Sequence, residues 1–74
     1  MLSFEIIENG QAIQICCDQD GMAILLSKLA RLIADPDHVH LRGPSAGGND
    51  LSETNPFGDK ALSEVTIDFS PNYD

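Results

Sequence analysis

The stretch Leu2-Ser3-Phe4-Glu5-Ile6-Ile7-Glu8-Asn9-Gly10-Gln11-Ala12-Ile13-Gln14-Ile15-Cys16-Cys17 sets the fold. Asn9-Gly10 is the strongest short-range signal for a β-hairpin, because both residues tolerate the positive φ of a type I′ turn. A two-residue turn there places Ile6 opposite Ile13, Phe4 opposite Ile15 and Leu2 opposite Cys17. All three apolar pairs then share one face, so turn chemistry and hydrophobic alternation ask for the same register. The second face carries Glu5, Ile7, Gln14 and Cys16.

An apolar hairpin face needs a cover, and the next segment offers one. Residues 18–35 read as a helix. Asp18 stands as N-cap, and Asp20 lies in the first turn, where the helix dipole favours a negative charge. Met22, Leu25, Leu26, Leu29, Leu32 and Ile33 recur at helical period and form the stripe expected to cover the hairpin. Ile24 lies on the opposite side of the wheel, beside Lys28 and Arg31, where it is expected to be exposed and open to a partner. Asp35-Pro36 ends the helix, since the residue before a proline is pushed out of helical conformation.

Residues 37–42 form a third strand, with Val39 and Leu41 inward and His38, His40 and Arg42 outward. A polar loop follows over residues 43–59. At about 17 residues it exceeds the 12–15 usual for an unstructured connection, so it is either functional or partly disordered. Pro44, Gly47-Gly48, Asn49-Asp50 and Asn55-Pro56-Phe57-Gly58 are turn chemistry. Leu51 and Phe57, its large apolar residues, are expected to pin it to the body. Residues 61–70 form the last strand, with Val65, Ile67 and Phe69 on one side, and 71–74 a tail. The resulting architecture is α+β in the order ββαββ. One helix packs on one face of a four-stranded, mainly antiparallel sheet, in a single domain. The uncovered face would carry Glu5, Ile7, Gln14, Cys16, His38, His40, Glu64, Thr66 and Asp68, open to water or to a partner.

Composition narrows the function. A chain of 74 residues buries only about 60% of its unfolded surface, and such domains often rely on a staple or a partner. Cys16 and Cys17 are adjacent and point to opposite faces, so they offer no ready staple. Twelve Asp and Glu against four Lys and Arg give a formal charge of −8. That argues against nucleic acid, which calls for a basic patch, and suits docking on a basic protein surface. No signal-peptide pattern and no apolar run of about 18 residues is present, which points to a cytoplasmic chain with reduced thiols and no membrane span.

Three constellations bear on chemistry. His38 and His40 lie on one side of a strand, about 7 Å apart, and with Cys16 or Asp68 they make a conceivable zinc site, the Cys16 set being that of a metal-binding or regulatory domain. They lack the spacing of a known metal motif, and solvated or hydrogen-bonded strand histidines explain them equally. Cys16 with either histidine has the elements of a nucleophile and base, but no oxyanion hole accompanies them. Gly47-Gly48 is followed by no Gly-Lys-Ser/Thr, and its loop carries Asp50, Glu53 and Asp59, which repel phosphate. No catalytic residue and no cofactor is therefore expected. The acidic loop is instead suited to a positively charged cleft on another protein.

The helix ending near Asp37-His38-Val39-His40-Leu41, then Gly47-Gly48, then Asp50-Leu51-Ser52-Glu53, resembles the immunity protein 32 family over residues 20–53. Ala46 stands where the resemblance leads one to expect an aromatic residue. These are small bacterial proteins of polymorphic toxin systems that bind a cognate toxin and so protect the producing cell. The resemblance implies a binding protein without an active site, recognising its toxin partner through His38, His40, Gly47, Gly48, Leu51 and Glu53. A purely structural role for the same residues is the competing reading, and homodimerisation through the open sheet face, hiding Ile7, is a third.

Overall fold

The computed structural model describes residues 1–73; the expected tail runs on to Asp74, outside the described residues. The chain is α+β, with β1 (Leu2–Ile7), β2 (Ala12–Cys17), α1 (Gln19–Ala34), β3 (His38–Arg42) and β4 (Glu64–Asp68) in that order. Both strand pairs are antiparallel.

The hairpin forms in the expected register, with Leu2 opposite Cys17, Phe4 opposite Ile15 and Ile6 opposite Ile13. The Gln11 amide donates to Glu8 O at 3.0 Å, closing the corner. Asn9 and Gly10 take positive φ as their chemistry allows, and Glu8 is drawn in with them at φ 55°.

The four strands make two two-stranded sheets rather than one sheet of four. The reason lies at the free edge of β1. Its carbonyls are taken by the connection between β3 and β4: the Ser52 amide donates to Leu2 O and the Leu62 amide to Phe4 O, both at 2.8 Å. The loop thus occupies the edge that a neighbouring strand would have used. It also covers the second face of the hairpin, where Ser3 and Glu5 are buried, with Asn55 Nδ2 donating to Glu5 Oε1 at 2.7 Å. The hairpin half of the expected open face is therefore closed by the chain itself.

The core joins Leu2 and Phe4 of β1, Leu41 of β3 and Leu51 of the loop, with Cys17, Ile24, Leu25, Leu62, Val65 and Ile67 packed around them. Asp18 caps α1 as expected, its Oδ1 accepting from the Gly21 amide at 2.9 Å. The helix is turned about its axis relative to the expected stripe. Gly21 and Leu32 are buried, and Ile24, Leu25 and Lys28 are half-buried on the same side. Ile24 therefore packs against the core instead of standing exposed on the opposite side. Met22, Leu26, Leu29 and Ile33 are exposed, Ile33 by 77%. Close approach fixes this rotation: at Gly21 the backbone of Met1 lies so near that a Cβ would sit 1.8 Å from its carbonyl oxygen. Ile6, Ile13 and Ile15, which α1 does not cover, are exposed too. In the loop, Leu51 is 4% exposed and pins the segment, while Phe57, at 74%, does not.

Candidate functional site

Alternation along β3 sends Val39 and Leu41 into the protein and His38, His40 and Arg42 out. Pairing with β4 sets His38 opposite Asp68, His40 opposite Thr66 and Arg42 opposite Glu64. The two imidazoles meet edge to face, with ring centroids 4.9 Å apart and planes at 87°. His38 Nδ1 is 3.0 Å from Asp37 Oδ1. His40 Nδ1 is 3.2 Å from both Glu64 Oε1 and Thr66 Oγ1. Arg42 Nε donates to the same Glu64 oxygen at 3.1 Å, so one carboxylate holds the inner histidine and the arginine together. Behind this strand a groove of ≈ 320 Å³ opens against the C-terminal half of α1, lined by Lys28, Arg31, Leu32, Asp35, Asp37, His38, Val39 and His40.

The expected loop residues do different work. Leu51 is core. Glu53 accepts from the Ser45 amide at 2.7 Å and from the Ser45 hydroxyl at 2.5 Å, clamping the start of the loop to its middle. Asp50 Oδ2 accepts from the Arg42 amide at 3.2 Å. Gly48 lies against the end of β3, where a Cβ would come within 2.8 Å of Arg42 O, and Gly47 takes φ 84° to end the single turn Pro44–Ala46. Asp59 is exposed, and its amide donates to Asn55 Oδ1 at 2.9 Å. The structure brings together His38 and His40; it assigns Gly47, Gly48, Asp50, Leu51 and Glu53 to building the loop. Cys16 sits in the other sheet from the histidines. Among the described residues no three His, Cys, Asp or Glu gather as a metal centre.

Lys28, Arg31 and Asp35 join the histidines in the groove without having been singled out for it. The signal was available in part: Lys28 and Arg31 share one flank of the helical wheel, and Asp35-Pro36-Asp37 turns the chain straight back along that flank. No family model, curated protein or solved structure matches the chain. Among the described residues no helix is long and apolar enough to cross a membrane.

The carboxylates carry a pH dependence. The Ser45 hydroxyl, and then its amide, holds Glu53 below its ordinary value of 4.5. The Arg42 guanidinium does the same for Glu64, with His40 adding a smaller pull. A carboxyl whose folded-state pKa is depressed contributes stability that is complete above its unfolded value and lost as pH falls through the folded one. The thermal midpoint is therefore expected to hold from neutral pH to about 5 and to fall below that. Glu53→Gln, compared with the native chain by circular-dichroism melts at pH 7, 5, 4 and 3, should be less stable at pH 7. The gap should narrow as pH falls below about 4.5. A gap of constant size would mean that the charge on Glu53 contributes nothing to the clamp.

Proposed function

We propose that this chain is a non-catalytic, acidic binding protein that works in the cytoplasm by docking the outer face of β3–β4 on a basic surface of another protein. The resemblance to immunity protein 32 makes that partner a cognate bacterial toxin, which the bound chain neutralises. The observation that carries the reading is the uncovered polar face itself. His38, Arg42, Glu64, Thr66 and Asp68 are exposed and His40 half-buried, with Asp37 exposed at the strand's entry. Arg42, the one permanent cation of that face, is already engaged by Glu64. The carboxylates of that face other than Glu64 are Asp68 and Asp37, the latter beside His38 Nδ1, on a chain of net charge −8 with Lys28 and Arg31 across the groove. Complementary charge of this kind raises the encounter rate and selects among partners more than it raises affinity.

A pull-down from the native host, followed by titration calorimetry and stopped-flow binding against the protein captured, tests the reading. Asp37→Asn with Asp68→Asn should slow association about tenfold at low salt and flatten its ionic-strength dependence. Melting temperature should stay unchanged, since both side chains are exposed. Absence of binding by the native chain, or an association rate indifferent to both substitutions, would reject this face.

A further inference from the structure

Most of the exposed large hydrophobic residues lie on elements other than the acidic β3–β4 face. Of the ten large hydrophobic residues exposed among the described residues, seven belong to the hairpin and the helix: Ile6, Ile13 and Ile15, and Met22, Leu26, Leu29 and Ile33. The three isoleucines share the hairpin face of Leu2 and Phe4, on which α1 packs. The four helix residues form one stripe at helical period. Lys28 and Arg31 turn the opposite flank of α1 toward β3, where they line the groove. The stripe therefore looks away from β3; with the uncovered isoleucines of the hairpin face on which α1 packs, it is termed the apolar corner.

The backbone beside that corner is unsatisfied as well. Leu2 and Phe4 send their carbonyls to the loop, and the Asp18 amide donates to Met1 O at 3.0 Å. By the alternation of an antiparallel ladder, residues 12, 14 and 16 then face β1, and Ile13 and Ile15 direct their amide and carbonyl groups outward from β2. Among the described residues no backbone group receives them. Natural edge strands are usually blunted by charge, proline or a bulge. The strand Ala12-Ile13-Gln14-Ile15-Cys16-Cys17 has neither charge nor proline, and its pairing with β1 runs without a bulge.

We infer that this chain forms a twofold dimer in which β2 pairs antiparallel with β2 of a second copy, and the apolar stripe of each α1 closes over the isoleucines at the joint. The inference is independent of the acidic-face reading, since the two surfaces share no residue. Self-complementarity supports a second copy: an antiparallel edge meets its own twofold image in register. Charge permits it. Despite the −8 of the whole chain, residues 11–17 carry no charge, and residues 21–34 carry only Lys28 and Arg31, so the carboxylates stay outside the joint. The sequence pattern agrees, because the helical stripe is wider than one hairpin covers.

Sedimentation equilibrium of the full chain from micromolar to millimolar, with amide exchange followed over the same range, tests it. The mass should double from 8.0 kDa, and the amides of Ile13 and Ile15 should gain protection as the dimer fills. Ile13→Lys and Leu26→Lys, at sites exposed in the monomer, should each keep the native circular-dichroism spectrum and raise the dimer dissociation constant by about 100-fold or more. Phe57→Lys, outside the corner, should leave it unchanged. A mass of one chain at every concentration would overturn the dimer and leave the corner to a different protein. A dimer indifferent to Ile13→Lys and Leu26→Lys, or without protection at Ile13 and Ile15, would overturn the interface.

Discussion

Leu51→Ala is expected to cost about 2–5 kcal/mol of folding stability, the range for emptying a closed leucine site. A domain of this length has roughly 4–11 kcal/mol in all, so the variant should be partly unfolded at 37 °C. Leu51 packs among Leu2, Phe4 and Leu41, but its position in the chain matters as much as its volume. Its amide donates to Arg42 O at 3.1 Å, and the next amide, of Ser52, donates to Leu2 O. One side chain thus holds the backbone splice between β1 and the end of β3. Losing it frees the loop that closes the edge of β1, so the two sheets should loosen together. Phe57→Ala, in the same loop but on the surface, should stay within about 0.5 kcal/mol of the native chain. Urea unfolding of both variants measures the contrast. Equal, small effects would mean that the loop folds apart from the core, and would return Leu51 to the role of a partner contact.

That pair of leucine and phenylalanine shows where reading the sequence stops. Both are large, apolar and embedded in turn residues, and nothing local separates them. Leu51 is buried because β3 delivers the chain directly over Leu2; Phe57 is exposed because the Asn55-Pro56-Phe57-Gly58 turn projects beyond the body. The hairpin was legible to the residue, since Asn9-Gly10 and the isoleucine alternation are local and agree. The helix was legible in extent through Asp18 and Asp35-Pro36. Its rotation was not, because periodicity locates the apolar arc but not the part of it that the rest of the chain covers. Strand number was legible and the single sheet was not, since a loop's backbone amides at Ser52 and Leu62 compete with a strand for the same carbonyls. The site divides similarly: alternation put His38 and His40 on one side of β3. Whether Asp50 and Glu53 bond their own loop or a partner depends on where Arg42 and Ser45 come to lie.

Gly21→Ala is expected to destabilise, with a sign opposite to the usual one. In a solvent-facing helix the change favours folding by about 1 kcal/mol, because alanine has less backbone freedom to lose. Gly21 instead sits under the first residue of the chain. A Cβ there would fall 1.8 Å from Met1 O, 2.6 Å from Met1 C and 3.1 Å from the Cys17 Cβ. Two of these atoms are backbone, so no side-chain rotation relieves the contact. The helix must lift or turn, and either movement drags Ile24 and Leu25 from Leu2 and Phe4. Overpacking of this kind typically costs about 1–3 kcal/mol, to which the loosened core contacts add. Urea midpoints of Gly21→Ala beside Ala30→Gly, at an exposed position of the same helix, separate the causes. Propensity alone predicts a gain for the first and a loss for the second; the close approach predicts a loss for both, the larger at Gly21. A stabilised Gly21→Ala would show that the helix is free to rotate. In that case Met22, Leu26, Leu29 and Ile33 would be able to turn onto the hairpin of their own chain, and the apolar corner would need no second copy to cover it.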